Sequence, residues 1–299
     1  MTFTLENGTV LRSDFIISFI IRNDLAPIPE SLEAKIRADN DVLASLKDGS
    51  TIESSSGHIY RVIKSEVAKS TMSQGARQMG YIAIIAILED YHKLSFVRDH
   101  GRAVGKENAS LSVCYRACGA TIRDISGDFS VPRFNCFVGD TPTFSIARIL
   151  QESGGVVRIK NNKLSFISLR EFNDLTVNKI ASQSVSEAIS GGLISQHEVP
   201  NFISINPDAT LIKTTSKTAR TVDFSPHKNS IMLGNMTRHL VLVQKSRLPL
   251  SLKICAGDVV SFDGLNNLIV MTAVHTFISG SDGQNQQSYT LLWLGEVRE

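Results

Sequence analysis

The 299-residue chain is short of cysteine, of aromatic side chains, of net charge and of long apolar runs. Each shortage excludes something. Four cysteines (Cys114, Cys118, Cys136 and Cys255) are too few and too scattered for a disulfide scaffold, which favours a reduced, cytoplasmic origin. The longest apolar stretches, Phe15 to Ile21 and Tyr81 to Leu88, fall far short of the ~20 residues that a membrane helix needs. The N-terminus has no basic region followed by an apolar core and a small-residue cleavage site, so signal-peptide export is not expected. Net charge is +2, with acids and bases nearly balanced in each half, so neither half is a basic nucleic-acid domain.

Catalytic signatures are missing as well. Cys114 and Cys118 share one helix face, but neither a histidine nor a second cysteine pair lies nearby, so core packing explains them better than metal binding. The seven histidines (His58, His92, His100, His197, His227, His239 and His275) form no metal-ligand spacing, and His275 is expected as a partly buried strand residue. Asp140, Glu152, Glu171 and Asp174 gather near one α/β segment, yet capping and surface roles account for them without a paired-acid site. Ser153-Gly154-Gly155 and Ser190-Gly191-Gly192 match neither a phosphate loop nor a dinucleotide fingerprint and serve as stops and turns. No serine sits in a Gly-x-Ser-x-Gly context. The expected catalytic, cofactor-binding and metal-binding residues are therefore none, and the chain is not expected to be an enzyme.

What is present is globular: 42% hydrophobic and 20% charged residues, with mean hydropathy of +0.02. That charge share lies below the usual one of about a quarter and favours a large permanent interface. The length suits about two domains.

The most informative stretch is Phe134 to Phe172. A strand over Phe134 to Val138 ends at Gly139-Asp140. Thr141 and Pro142 open a helix whose stripe is Ile146, Ile149 and Leu150. Gly154-Gly155 stops it, and a hairpin follows: Val156 to Ile159, a turn at Asn161-Asn162, then Leu164 to Leu169. A second helix is predicted over Glu107 to Gly119, capped by Asn108 or Ser110, with Leu111, Cys114 and Cys118 on its apolar face. Short β pieces lie at Thr121 to Ile125 and Asp128 to Val131.

On either side the chain reads as β. Phe3 to Leu11 carries a Glu6-Asn7-Gly8 turn, and Asp14 to Ile21 is a dense strand. Ser31 to Ala38 fits a strand or a short helix. Val42 to Leu46, Thr51 to Glu53 and His58 to Lys64 read as strands, and Ser65 to Gly80 as a long connection or protruding loop. Tyr81 to Leu88 is a buried strand, followed by a helical turn over Glu89 to Val97. Residues 173–235 are rich in Ser, Thr and Asn, with strands at Phe202 to Ile205 and Thr210 to Lys213. Then come Leu240 to Gln244, a break at Leu248-Pro249-Leu250, Leu252 to Cys255, Val259 to Phe262, Leu268 to His275 and Tyr289 to Leu294. Turns fall at Ala256-Gly257-Asp258, Asp263-Gly264 and Ser279 to Gln287. This last set is expected to form an antiparallel sheet that curls into a barrel. No short-period repeat is visible.

The order of parts resembles the central baseplate hub of contractile phage tails. That family is shared with late control proteins of temperate phages and with the N-terminal part of type VI secretion spike proteins. The resemblance is carried by Gly139-Asp140-Thr141-Pro142, Ile146-Ala147-Arg148-Ile149-Leu150, Gly154-Gly155 and Lys163-Leu164. It continues in Pro249-Leu250, Gly257-Asp258-Val259-Val260, Val274-His275 and Leu292-Trp293-Leu294-Gly295. Nearly the whole chain is covered.

The resemblance implies a mainly β fold with an α+β insert: two tube-like antiparallel β-barrel or sheet domains flanking a small α/β domain. The divisions would be 1–104, 105–172, and 173–299 including a linker. It implies a homotrimer whose six similar domains join a sixfold tail tube to a threefold spike. Partners would be the central spike protein, a tail tube or tube-initiator protein and other baseplate proteins. DNA would pass through the lumen without specific binding. The location would be the virion tail baseplate, assembled in the host cytoplasm. The chain is shorter than many relatives and has no lysozyme-like or peptidase-like region. A tail-tip hub of a non-contractile phage is a close alternative. A cell-wall hydrolase using the acids near the Gly-rich helix end, and a carbohydrate- or receptor-binding β module, are further ones. The single Trp293 in a dense apolar strand argues against the last.

Overall fold

The computed structural model describes residues 2–38, 40–74, 77–97, 102–180, 184–187, 199–206, 208–215, 219, 221–262, 267–280 and 285–298. The Ser190-Gly191-Gly192 and Asp263-Gly264 turns, His100 and His197 lie outside them, as does part of the Ser279 to Gln287 turn.

The fold is mainly β with a small helical insert, and thirteen of its strands form one sheet. Its N-terminal strands are β1 (Phe3–Leu5), β2 (Val10–Leu11), β3 (Ile16–Asp24), β4 (Glu30–Ala38), β5 (Thr51–Ser54), β6 (Ile59–Gln74) and β7 (Arg77–Leu88), with helix α1 (Asn40–Ser45) between β4 and β5. The C-terminal strands are β12 (Val177–Ile180), β13 (Ser184–Glu187), β17 (His239–Pro249), β18 (Val259–Phe262), β19 (Leu268–Ile278) and β20 (Gln287–Arg298).

Two features of the strand order matter. Eight strands run β13-β17-β20-β19-β3-β4-β7-β6, every neighbouring pair antiparallel. The C-terminal four and the N-terminal four thus have the same order: first, second, fourth, third. The third strand of each set also leads into short strands that return toward the first. β6 continues through β5 and β1 to β2, and β19 through β18 to β12.

Chain length then forces curvature. Leu11 and Ile16 are separated by a stretch reaching at most ~18 Å, whereas the outer members of seven flat strands would stand ~29 Å apart. Ile180 and Ser184 are within ~14 Å by the same reckoning, against ~24 Å for six flat strands. Each set therefore curls back on itself, as expected for the C-terminal one.

The insert contains β8 (Val104–Ser110), α2 (Leu111–Ala117), β9 (Ser130–Cys136), α3 (Pro142–Glu152), β10 (Gly155–Lys160) and β11 (Lys163–Ser168). The Phe134 to Phe172 block folds nearly as its punctuation dictates. Pro142 opens α3, Gly154 at φ 66° follows its end, and Asn161 and Asn162 at φ 52° and 58° turn the β10–β11 hairpin. Ile146, Ile149 and Leu150 are buried in a core that runs from Phe3 to Leu164. Beyond it, β14 (Asn201–Ile205), β15 (Leu211–Lys213) and β16 (Val222–Phe224) make a separate small sheet backed by α4 (Ser230–Met236).

Several expectations are corrected. Val42 to Leu46 is not a strand: Val42 reaches the core from α1 and Leu46, four residues on, from just past its end, with Leu46 N–H donating to Val42 O at 3.1 Å. Of the stretch Ser65 to Gly80, read as a long connection or protruding loop, residues 65–74 and 77–80 extend β6 and β7 as paired strands. The helix expected from Glu107 begins at Leu111, because Glu107 and its neighbours pair with β9 and Ser110 supplies the cap. Pro249 does not break β17. It pairs with Tyr289, and β13 on the other side reaches only to Arg247, so no ladder donor is needed there. Thr121 to Ile125 and Leu252 to Cys255 are not strands. Helix α4 was not foreseen; its seven residues hold too little periodicity to stand out among polar neighbours.

Gly155 shows how tightly the insert closes. A Cβ there would lie 2.4 Å from Phe166 Cζ and 2.6 Å from Ile167 O. Gly155→Ala is expected to destabilise the chain by about 1–3 kcal/mol, read as a lowered urea midpoint with unchanged slope.

Candidate functional site

The two strand sets meet at one place. Strand β3 pairs with β19 from Asp24 opposite Thr272 to Ser18 opposite Ile278. The joint has an apolar end and a polar end. At the apolar end Phe19 and Phe277 stack at 5.4 Å, and Phe3 meets Phe19 edge-on at 5.7 Å. Such pairs add about 0.5–1.5 kcal/mol beyond area burial.

At the polar end Glu30 of β4 is buried with side-chain partners on both oxygens. His58 Nδ1 pairs with Oε1, Tyr60 OH donates to Oε1 at 2.5 Å, and Asn23 Nδ2 donates to Oε2 at 2.9 Å. Asn23 Oδ1 accepts from Ala256 N–H at 2.7 Å, which carries the network across to the C-terminal set. Thr272 Oγ1 donates to Asp24 Oδ1 at 2.6 Å, and Ser279 N–H to Ile17 O at 2.7 Å. Burial first, then the Glu30 charge, holds the Tyr60 hydroxyl protonated far above its ordinary range.

The insert is bolted to the same corner. Lys160 Nζ lies 2.6 Å and Arg158 Nη1 3.4 Å from buried Asp258 Oδ1, and Arg158 Nη1 donates to Gly257 O at 2.7 Å. Asp258 Oδ2 accepts from Cys255 N–H at 3.1 Å. Gly257 sits at φ 83°, and a Cβ there would meet Arg158 Cδ at 2.6 Å, so glycine is required on both counts. These parts surround a cavity of about 440 Å³ lined by Glu30, His58, Tyr60, Lys160, Cys255 and His275 among others. Burial pushes the Cys255 thiol up to about 11, so it is no thiolate nucleophile at neutral pH.

The acids singled out in sequence do not assemble. Asp140 and Glu152 both border a groove of about 750 Å³. They stand at opposite ends of α3, roughly 18 Å apart along its axis, far beyond the spacing of a glycosidase pair. Asp140 accepts from Phe137 N–H at 3.0 Å. Glu152 is buried with Lys228 Nζ 2.6 Å from Oε1, off the direction of a hydrogen bond, so the attraction is ionic. Glu171 closes a capping box with Ser168, and Asp174 ends the 3-10 turn Leu169–Asp174. Cys114 and Cys118 are buried in the core, and burial pushes Cys114 up to about 11. His275 is buried and pairs with Thr290 Oγ1 at 3.0 Å. Among the described residues no group of three or more His, Cys, Asp or Glu is placed to hold a metal ion. No described helix is long and apolar enough to cross a membrane. Trp293 lies between cations, with Lys245 at 5.0 Å and Arg22 at 5.8 Å from its ring centre, and so offers no bare platform to a sugar.

Sequence inspection missed Asn23, Glu30, His58 and Tyr60 as a group. Their spacing matches no motif; the one available hint was an acid directly after the Pro27–Pro29 break and before an apolar strand.

Glu30→Ala orphans two buried donors and a histidine and is expected to cost about 3 kcal/mol in urea unfolding, with Tyr60→Phe costing less. Burial holds His275 below its ordinary 6.5, partly opposed by Glu30 and by a backbone bond to Ile254. Between its folded value and 6.5 the unfolded chain binds the extra proton. Stability is therefore expected to be full above pH 6.5 and to fall below it. His275→Gln should flatten that fall in melts across pH 5–8.

No protein-family model and no curated protein matches this sequence. Solved structures do. A tail protein from Neisseria meningitidis MC58 superposes with a TM-score of 0.67 at 10% identity, covering 99% of this chain and 95% of that one. The 43 kDa tail protein of prophage MuSo2 from Shewanella oneidensis gives 0.62 at 10%, covering 99% and 97%. A chain of the Francisella PdpA-VgrG complex gives 0.52 at 10%, covering 99% of this chain and 52% of that one. At these identities the likeness is one of fold, and the chain has the fold of phage tail proteins over nearly its whole length.

Proposed function

We propose that this chain is a structural component of a phage tail, the baseplate hub. Three copies would form a pseudo-sixfold ring joining the sixfold tail tube to the threefold spike, with DNA passing through the lumen without specific binding. The protein would act in the virion and not as an enzyme. The neighbouring folds support a tail role. The observation that carries the ring is the repeated strand order.

Each strand set is a unit with the same order, and the two are joined by the third strand of one, β19, against the first strand of the other, β3. A head-to-tail contact of this kind does not use itself up. The third strand of the N-terminal set, β6, is covered by β5 only at Ile59 to Arg61. Its stretch from Lys64 onward pairs with β7 on one side and with no described strand on the other. The matching first strand, β13, pairs with β17 and with no other described strand. Placing β13 of the next copy on β6 repeats the internal joint. Heterologous contacts close into a ring when the rotation per unit divides a full turn. Two units per chain and three chains give six, the number the tube requires. Ring closure would also pair two strand edges that no described strand covers, and an uncovered edge invites aggregation.

Light scattering of the purified 32.7 kDa chain, alone and with spike or tube proteins of the same particle, tests this reading. Three copies and a threefold ring in negative-stain averages are expected. Deleting residues 69–78 from the β6–β7 hairpin should leave a folded monomer. A wild-type chain that stays monomeric with every partner overturns the proposal.

A further inference from the structure

The eight strands from β13 to β6 have two unlike faces. In the β3–β19 register Asn23 lies opposite Ala273 and Ile21 opposite His275, and all four are buried. Residues opposite each other across a strand pair share a face, so both strand sets curl to the same side. The alternate residues make the other face, along the row Arg247, Leu291, Val274, Arg22 and Ser31. The insert covers that face at its Ile269 and Val297 end. Along the middle it is open: Arg22, Glu33, Lys35, Ile85 and Arg247 are exposed.

A closed ring decides which face points inward, and this step rests on the hub reading. Six units of four strands at ~4.8 Å spacing make a wall ~115 Å around and ~37 Å across. A packed layer of strands stands ~10 Å from the wall. With the curled sides inside, the return strands would lie on a circle ~17 Å across and ~52 Å around. Those strands are β5, β1 and β2 from one set and β18 and β12 from the other, and three copies of them need ~72 Å. Strand tilt up to ~45° widens both circles without closing the gap. The curled sides therefore belong outside, and the open face lines the lumen.

That lining is basic. Arg247 lies 3.9 Å over the Tyr289 ring centre, and Lys245 and Arg22 lie 5.0 and 5.8 Å from that of Trp293. The rings hold three cationic heads in place without neutralising them. Lys35 and Arg37 of β4 add two more. Lys64 and Glu66 cancel as a pair, and Arg61 is bound to Glu89. Among the described residues Asp24 and Glu33 are the remaining acids of the face, so it holds more positive charge than the whole chain, whose net charge is +2.

We propose that this face contacts the phosphate backbone of duplex DNA threading the ring, with Lys245 and Arg247 as the main contacts. Further copies of the chain add at the sheet edges, so in a closed ring the lumen face is reached by a molecule that threads it. A basic wall selects a polyanion for that place. Phosphate contacts carry no base readout, so passage stays independent of sequence.

The probe is a linear duplex of about 40 base pairs added to the preformed trimer, with binding read by anisotropy between about 50 and 200 mM salt. Affinity should fall steeply with salt and be the same for unrelated sequences. Lys245→Gln and Arg247→Gln should each lower the salt slope by about one or more with the trimer mass unchanged. Lys163→Gln, exposed at the start of β11, should leave the slope as it is. A closed circular duplex cannot thread a preformed ring and should not compete. The inference is overturned if the trimer binds no linear duplex, or if the slope ignores both lining variants. Equal competition by the circle would place DNA on the outer surface and also overturn it. Tighter binding of polyglutamate than of duplex at equal charge would assign the face to an acidic protein, with the same result. A chain that stays monomeric sinks the ring and this inference together, whereas a trimer blind to duplex sinks this inference alone.

Discussion

The pairing of β3 with β19 is the contact on which the rest depends. It joins two strand sets that would otherwise be separate small sheets. A β pairing alone leaves the angle between two sets soft, because twist varies from pair to pair. Here the pairing is fixed from behind. Phe19 and Phe277 stack at one end, and at the other Glu30 gathers Asn23, His58 and Tyr60. A buried carboxylate tolerates only geometries that satisfy it, so this network selects one arrangement more than it adds net stability.

The insert makes the joint three-sided. Arg158 and Lys160 reach from β10 to Asp258 and to the Gly257 carbonyl. The α/β segment therefore does more than separate two β regions: it braces the corner where they meet. In the hub role proposed above, an adaptor between symmetric assemblies would need a fixed angle and repeatable edges.

The duplication of strand order is the structural counterpart of that need. No sequence repeat accompanies it. Helix α1 and strand β5 lie between β4 and β6, whereas β14, β15, β16 and α4 lie between β13 and β17. Insertions of unequal size at different points hide the correspondence along the chain. What is kept is the order of strands and the return of the third strand's neighbours toward the first. Backbone pairing imposes both with little demand on side-chain identity beyond alternation.

The sequence by itself determined the local events. Turn chemistry at Gly154, Asn161 and Asn162, the proline at the start of α3 and the continuous apolar run of Tyr81 to Leu88 each act within a few residues and appear in the fold as helix, turn and strand. The mainly β class followed from the same signals. It was blind where the deciding partner is distant. Val42 to Ser45 is helical because a core elsewhere accepts Val42 from the helix and Leu46 directly after it. Residues 65–74 and 77–80 are strand because cross-strand bonds outweigh their polar composition. Glu30 and His58 are 28 residues apart, and Ala256 and Asn23 are 233 apart. Only tertiary structure could bring them together, because a buried hydrogen-bond network is set by where strands pass in space, and spacing along the chain carries no trace of it.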